Sequence, residues 1–143
     1  MRLWHKDLIP VLPKKQLLAQ WRECCAIARN IAVKGTPNHL LVDKVMEFPK
    51  WHFMEYTLKV CKELEKRGYR IKRERFFQWF DQWDDGTVKT GDISHDGLFF
   101  GWHNDRYLTQ CFYNLQEKYD CGGMTKDEYK ALLKFDIDRR IYK

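Results

Sequence analysis

Residues 14–35 read KKQLLAQWRECCAIARNIAVKG and carry the pattern of a long amphipathic helix. The apolar residues recur at helical spacing, and Gly35 is a residue type that commonly ends a helix. The pattern predicts a helix from about Lys14 to Val33. The residues expected on its buried stripe are Leu17, Trp21, Cys24, Cys25, Ala28, Ile31 and Ala32.

Two polar edges flank this predicted stripe. Lys15, Arg22 and Arg29 follow one another at intervals of seven residues and form a basic strip along the helix. Glu23 lies well off the stripe at 100° per residue. Its expected neighbours on the helix are Gln16, Gln20, Ile27 and Asn30. The helix therefore presents a core face, a carboxylate edge and a cationic edge.

Three further helices follow from start and stop signals. Phe48-Pro49 opens a second long helix that is expected to end at Gly68. A third begins near Asn104 or Asp105 and ends before Gly122-Gly123. Thr125 to Glu128 has the capping-box pattern for a last helix.

The remaining segments are less regular. A short helical segment is expected around residues 40–46, and Asp84-Asp85-Gly86 and Thr90-Gly91-Asp92 mark a polar loop. No repeat or β alternation is visible. The predicted class is all-α, with a single compact domain over residues 1–143, three or four main helices, and the N-terminal segment packed near the first long helix.

Composition restricts the partners and the compartment. With 143 residues, a formal charge of +6 and a pI near 9.1, the chain is suited to an anionic partner, most commonly nucleic acid, although a solvated basic surface fits equally well. The five cysteines are odd in number and Cys24 adjoins Cys25, which argues against a disulfide framework. The N-terminus has no apolar run suited to a signal peptide or membrane span. We therefore expect a cytoplasmic protein.

The chain terminus carries a possible chemistry of its own. The sequence opens Met1-Arg2-Leu3, and Gln20-Trp21-Arg22-Glu23 lies inside the first predicted helix. An α-amine titrates at about 7.7–8.0 and a lysine near about 10.4, so the terminal amine is unprotonated some hundredfold more often at neutral pH. Because Arg2 is large, we expect Met1 to be retained. Amine, arginine and carboxylate are the components of an imine-forming enzyme.

The runs Met1 to Trp4, Gln16 to Glu23 and Leu64 to Lys72 resemble the pyrimidine-dimer DNA glycosylases, the small phage-type endonuclease V enzymes. The resemblance covers roughly the first half of the chain. It implies a compact helical monomer that excises one base of an ultraviolet photodimer and then cuts the strand at the abasic site. In this family the N-terminal amine attacks the sugar C1′ and forms an imine in both steps.

The resemblance assigns roles to individual residues. Met1 matches the family's first residue, usually a threonine, and supplies the nucleophilic amine. Glu23 matches the catalytic glutamate, which stabilises positive charge on the sugar and moves protons. Arg2 matches an arginine that contacts the lesion strand, and Arg22 one that holds a phosphate. The full expected DNA-binding set is Arg2, Lys15, Gln16, Arg22 and Arg29.

Three positions depart from the family's pattern. Gln16 stands where the family has a histidine, and Ala26 stands where it has an arginine, for which Arg29 is the nearest possible substitute. The family's aromatic, lysine-containing C-terminus has a faint counterpart in residues 139–143. These changes bear on lesion specificity more than on imine chemistry.

Extruding a nucleotide from duplex DNA also requires a wedge or clamp. The aromatic and basic candidates are Trp4, His5, Trp51, Arg70, Lys72 and Arg73. The expected partner is damaged double-stranded DNA, with no membrane and no obligate protein partner.

Metal chemistry finds little support in the spacing. His95, His103, Cys111 and Cys121 contain no close pair of the kind zinc sites use. Asp84, Asp85, Asp92 and Asp96 could be imagined as a magnesium cluster, but loop aspartates usually form turns. We expect neither a metal nor a cofactor.

Three other functions stay open from the sequence. A non-enzymatic nucleic-acid-binding module would use Arg2, Lys15, Arg22 and Arg29 to bind phosphate and leave the amine idle. A relative directed at RNA or nucleotides would use the same surface. A purely structural interaction protein gives no reason for the matched terminus and Glu23.

Overall fold

The opening stretch forms the longest helix, α1, which spans Lys14–Lys34 in the computed structural model. Gly35 follows it in the left-handed conformation, at φ +79°, and its backbone N–H donates to Ile31 O at 2.8 Å. A left-handed residue is the usual helix stop, and glycine adopts that conformation without a Cβ clash. The predicted extent of this helix is confirmed.

The structure describes residues 1–84 and 97–142, and within them it contains helices and no strand. The elements are a 3-10 helix at Lys6–Val11, α1, a second 3-10 helix at Asp43–Glu47, α2 (Lys50–Lys66), α3 (Glu74–Phe80), α4 (Asp105–Asp120) and α5 (Lys126–Ile141). The all-α class is confirmed, and four of the α-helices have at least 16 residues. The polar loop predicted at Asp85-Gly86 and 90–92 lies outside the described residues.

Side-chain caps form at the predicted starts of α4 and α5. Asn104 accepts a hydrogen bond from Tyr107 N at the start of α4, and Thr125 forms a reciprocal capping box with Glu128 at the start of α5. The second Glu128 oxygen accepts from Lys14 N at 2.7 Å. One glutamate therefore satisfies backbone donors at the start of two helices, which joins α5 to α1.

The buried face of α1 is wider than the predicted stripe. Gln20 and Ile27 are fully buried, whereas the sequence placed them beside Glu23 on a polar edge. Cys25 and Ala32, expected in the core, are half-buried. The prediction was wrong because α2 and α3 both pack on α1, so the helix is covered over more than one narrow stripe.

The N-terminal segment packs against α1 and α2, as expected. Leu3 and Trp4 are buried, and Trp4 N donates to the Gln20 side chain at 2.8 Å. Arg67, at the end of α2, pairs with Glu63 at 3.0 Å as its spacing of four predicts. Its guanidinium also donates to Leu12 O at 2.9 Å and so ties the end of the first 3-10 helix to α2.

Aromatic side chains complete the core around the middle of α2. Phe99 is fully buried, and its backbone N–H donates to His52 Nδ1 at 3.0 Å. Its ring contacts those of Phe48, Tyr56 and Trp102.

Among the helices of residues 1–84 and 97–142, none combines the length and apolar composition that a bilayer span requires.

Candidate active site

The side-chain amide of Gln20 is the centre of the candidate site. It is fully buried in α1, and its Oε1 accepts from Trp4 N at 2.8 Å. The Tyr56 hydroxyl lies 3.0 Å from the same oxygen and 2.6 Å from Trp4 O. These bonds join the N-terminal segment, α1 and α2 at one point.

The nitrogen of the same amide connects the terminus to Glu23. Gln20 Nε2 donates to Arg2 O at 3.0 Å and to Glu23 Oε2 at 3.3 Å. The Arg2 carbonyl and the Glu23 carboxylate are therefore both within hydrogen-bond distance of one nitrogen. Met1 directly precedes Arg2 and is 40% exposed, while Glu23 is half-buried. The folded chain thus brings the terminus and this carboxylate into one neighbourhood.

Two tyrosines hold the backbone of this segment from other helices. Tyr107 of α4 donates to Leu3 O, and Tyr56 of α2 lies against Trp4 O. Burial raises the pKa of both hydroxyls well above the ordinary value, so both remain protonated donors at neutral pH. Residues 2–4 are therefore fixed from three sides while Met1 extends toward solvent.

The Arg2 side chain is half-buried beside the N-terminal segment. Its guanidinium carbon lies 5.2 Å from the centre of the Trp4 ring, a distance at which cation and ring attract. It also lines a cavity of about 150 Å³ together with Leu40, Leu41, Lys44, Trp102 and Tyr107. A cation is thus held next to the terminal residue.

The basic strip of α1 is accessible. Lys15, Arg22 and Arg29 are all exposed, and within residues 1–84 and 97–142 none of them forms an ion pair. Arg29 lies over the Trp79 ring at 5.8 Å. Arg22 directly precedes Glu23, so the strip passes beside the carboxylate.

Gln16 takes no part in the network around Gln20. Its Oε1 is enclosed, and within the described part of the chain it has no hydrogen-bond partner. The residue as a whole is half-buried. The structure therefore joins the Arg2 carbonyl and the Glu23 carboxylate through one amide, with Met1 and Arg22 as their sequence neighbours, and Gln16 lies two turns before Glu23 on α1.

Several other sequence candidates are engaged elsewhere. Trp4 and His5 are buried, which excludes them as wedges into DNA. Arg139 and Arg140 both pair with Asp136, at 2.9 and 3.1 Å. These two arginines of the C-terminal segment 139–143 therefore form ion pairs within α5.

The remaining wedge candidates lie at the surface. Trp51 is 42% exposed and Arg70 and Lys72 are exposed, while Arg73 pairs with Glu65.

The described residues contain no group of three metal-ligating side chains. Asp85, Asp92, His95 and Asp96 lie outside the described residues.

Sequence reasoning missed Gln20 and Tyr56 as members of this site. Both were visible as polar residues at helical positions, but their hydrogen-bond partners are distant in the chain. Gln20 is 16 residues from Trp4 and 36 residues from Tyr56. The position of a glutamine three residues before Glu23 was the local signal.

Comparison with known families supports the resemblance noted above. A family model described as pyrimidine dimer DNA glycosylase matches residues 1–76, just over half of the 143 residues. The match includes the N-terminal segment, α1 and α2. Neither the curated proteins nor the solved structures with which the chain was compared gave a match.

Proposed function

Because the chain belongs to the pyrimidine dimer DNA glycosylase family, we propose that it excises a base of a pyrimidine photodimer through the α-amino group of Met1 and then cuts the strand at the abasic site. The observation that carries this proposal is the shared hydrogen bonding of Gln20 Nε2, which connects Arg2 O and Glu23 Oε2. Met1, whose amine the chemistry needs, directly precedes Arg2, and Glu23 supplies the proposed carboxylate.

The first step is a displacement at the sugar. The unprotonated amine attacks C1′, a nitrogen–carbon bond forms, and the C1′–base bond breaks with its electron pair leaving on the base, which takes up a proton. Loss of the amine proton and opening of the C1′–O4′ bond, with a proton delivered to O4′, give the imine.

The second step is a β-elimination. A proton is removed from C2′, the bond between C3′ and its oxygen breaks, and the phosphate leaves with the electron pair. Water then hydrolyses the imine and frees the amine. All of these steps use the protein's amine, a proton-transferring carboxylate and water.

Glu23 is the proposed carboxylate for both steps. Its negative charge stabilises the positive charge that develops on C1′ and O4′ as the base departs. The Glu23 carboxylate accepts the amine proton and returns it to O4′. The same carboxylate is suited to abstract the C2′ proton in the second step. Gln20 is a positioning residue because it donates to Glu23 and also holds the backbone of Arg2 and Trp4, which directly follows the reacting end.

Phosphate contacts are assigned to the half-buried Arg2 and to the exposed cations of α1. Arg2 and Arg22 adjoin the two reacting groups in sequence, and Lys15 and Arg29 continue the strip along α1. Gln16 belongs to the same proposed set as a neutral contact on that helix. We propose damaged double-stranded DNA as the partner of a monomer.

The test is strand cutting on a duplex that carries one abasic site. The untagged chain is compared with a chain extended by two residues before Met1, which moves the free amine by up to about 7 Å. A second comparison uses Glu23→Gln, with Glu55→Gln as the matched control because Glu55 is an exposed glutamate on α2.

We expect the extension and Glu23→Gln to keep DNA affinity and to slow cutting at least about a hundredfold, while Glu55→Gln cuts at the wild-type rate. Cutting by the extended chain at the wild-type rate would show that Met1 is not the nucleophile. Tight binding without cutting by the unmodified chain would replace this proposal with a non-enzymatic binding module.

A further inference from the structure

Two leucines next to Arg2 are unusually exposed. Leu40 is 86% exposed and Leu41 is 50% exposed, at the tip of the turn that follows α1. Pro37, three residues before Leu40, is buried, and so is Val42, which directly follows Leu41 and has 0% exposure. The turn is anchored in the core while its two largest apolar side chains face water.

The backbone conformation of the turn and its hydrogen bonds keep these leucines exposed. Asn38 has a φ of +58°, which reverses the chain just before the tip. His39 N donates to Asp43 Oδ1 at 3.1 Å, and Leu41 N donates to the His39 ring at 3.3 Å. Asn30 of α1 donates to Pro37 O at 3.2 Å. These bonds fix the backbone that presents the leucines.

The surroundings of the tip are cationic. Leu40 and Leu41 line the same cavity as Arg2 and Lys44. An adjoining depression of about 370 Å³ shares Lys44 and adds Arg106. Among the described residues, no carboxylate lines either one. Lys44 pairs with Glu47 at 3.9 Å, but both side chains are well exposed, so the pair neutralises little of this charge.

This combination suits duplex DNA better than a protein partner. Protein interfaces bury a core that is poor in charge, whereas two apolar side chains between cations match an opened base step flanked by phosphates. Proteins that unstack DNA commonly insert leucine between base pairs. The cavity shared with Arg2 places the tip next to the residue that follows Met1.

We propose that Leu40 and Leu41 enter the base stack of duplex DNA beside the Met1 amine and occupy the space that an extruded nucleotide leaves. This inference deepens the proposed function and rests on it. The tip opens the stack, Arg2 and Lys44 hold the flanking phosphates, and the sugar C1′ becomes accessible to the amine.

The test separates stack opening from imine chemistry. The probe is a short duplex with a tetrahydrofuran abasic analogue, which cannot form an imine, opposite 2-aminopurine, whose fluorescence rises on unstacking. The Leu40→Ala/Leu41→Ala double variant is compared with wild type and with Ile137→Ala, a control that truncates an exposed residue of α5.

At saturating protein, we expect the 2-aminopurine fluorescence to rise severalfold with wild type and with Ile137→Ala. The rise with the double variant should be at least fivefold smaller. In parallel, borohydride trapping is measured on abasic DNA as duplex and as single strand. The double variant should lose trapping at least tenfold on the duplex and keep the wild-type rate on the single strand, where no stack must be opened.

Three results would overturn the wedge. The double variant could give the same fluorescence rise as wild type, or it could lose trapping equally on duplex and single strand. Sedimentation could also show that wild type is a dimer and that the double variant is not, which would make the tip a self-association surface. A fluorescence rise that depends on the leucines, without any trapping by wild type, would support the wedge and reject the proposed chemistry.

Discussion

At the scale of single residues, Gln20 has a structural role and, in the proposed mechanism, a positioning role as well. Its amide oxygen satisfies Trp4 N and lies beside the Tyr56 hydroxyl, and its nitrogen donates to Arg2 O and Glu23. A carboxylate at this position could not donate a hydrogen bond to Glu23. An apolar side chain could neither donate to Glu23 nor accept from Trp4 N. Only an amide serves the backbone on one side and the Glu23 carboxylate on the other.

Gln20→Leu tests this dual role. The substitution removes the partner of the buried Trp4 N and of the part-buried Arg2 O, so we expect it to lower the free energy of unfolding by about 2–4 kcal/mol. At saturating DNA, and at a temperature where the variant is folded, strand cutting should also fall more than tenfold because Glu23 and the terminus lose their common donor. Chemical unfolding and single-turnover cutting measure the two effects.

Leu115→Ala is the matched control for lost stability. Leu115 is fully buried in α4, and its truncation should cost about 2–5 kcal/mol without touching the site. Its folded fraction should therefore cut at the wild-type rate. If Gln20→Leu also cuts at that rate once folded, Gln20 is structural only.

At the scale of elements, α1 supplies the surface that we propose for phosphate. Lys15, Arg22 and Arg29 are exposed along one side of the helix, two turns apart. Each phosphate contact releases condensed counterions, which makes affinity fall linearly with salt on logarithmic axes.

Replacing all three cations with glutamine should flatten the salt dependence of DNA binding. We expect the slope to fall by about 0.9 for each cation that contacts a phosphate, thus by nearly three units in the triple variant and one in Arg22→Gln. Fluorescence anisotropy over a salt series measures it. Lys130→Gln, on the exposed side of α5, should keep the wild-type slope, and an unchanged slope in the triple variant would move the DNA away from α1.

The elements were predictable where local signals are strong. Gly35 and the Thr125–Glu128 capping box fix helix ends through nearby backbone groups, so both were readable from sequence. α3 was not predicted, because aromatic residues at most of its seven positions leave no polar period to detect. The burial of Ile27 was missed for another reason, since it depends on which helices cover α1.

The same distinction applies to the site. Met1, Arg2 and Glu23 were selected from residue type and family resemblance, both of which are local in sequence. The bonds of Gln20 to Tyr56 and of Tyr107 to the Leu3 carbonyl depend on helices far along the chain. The sequence could therefore suggest the reacting groups but not the side chains that hold them together.

At the scale of the whole molecule, buried histidines couple the fold to pH. Burial lowers the pKa of His5, His52 and His103, in the case of His52 from 6.5 to about 4. His103 Nδ1 accepts from Lys6 N at 3.0 Å and His52 Nδ1 from Phe99 N at 3.0 Å. Both rings are neutral acceptors that connect separate parts of the chain.

The protein should lose stability in acid below about pH 6.5. In that range the unfolded chain binds protons at these histidines and the folded chain does not, so the free energy of unfolding falls as pH falls. For His52, the loss between pH 7 and pH 4 is on the order of 2 kcal/mol. Urea unfolding at several pH values measures it.

His52→Asn should weaken this pH dependence. The asparagine oxygen can take the place of Nδ1 as acceptor for Phe99 N but does not titrate. A pH dependence as steep as that of wild type would mean that His52 is not protonated on unfolding in this range.

If the chain end itself is the nucleophile, a trapped adduct will lie on its nitrogen. The untagged protein is incubated with duplex DNA that carries an abasic site, reduced with borohydride, digested, and analysed by peptide mass spectrometry. We predict a sugar adduct on the α-nitrogen of Met1, absent from the protein extended before Met1. An adduct on a lysine side chain, or none with DNA binding intact, would contradict the account.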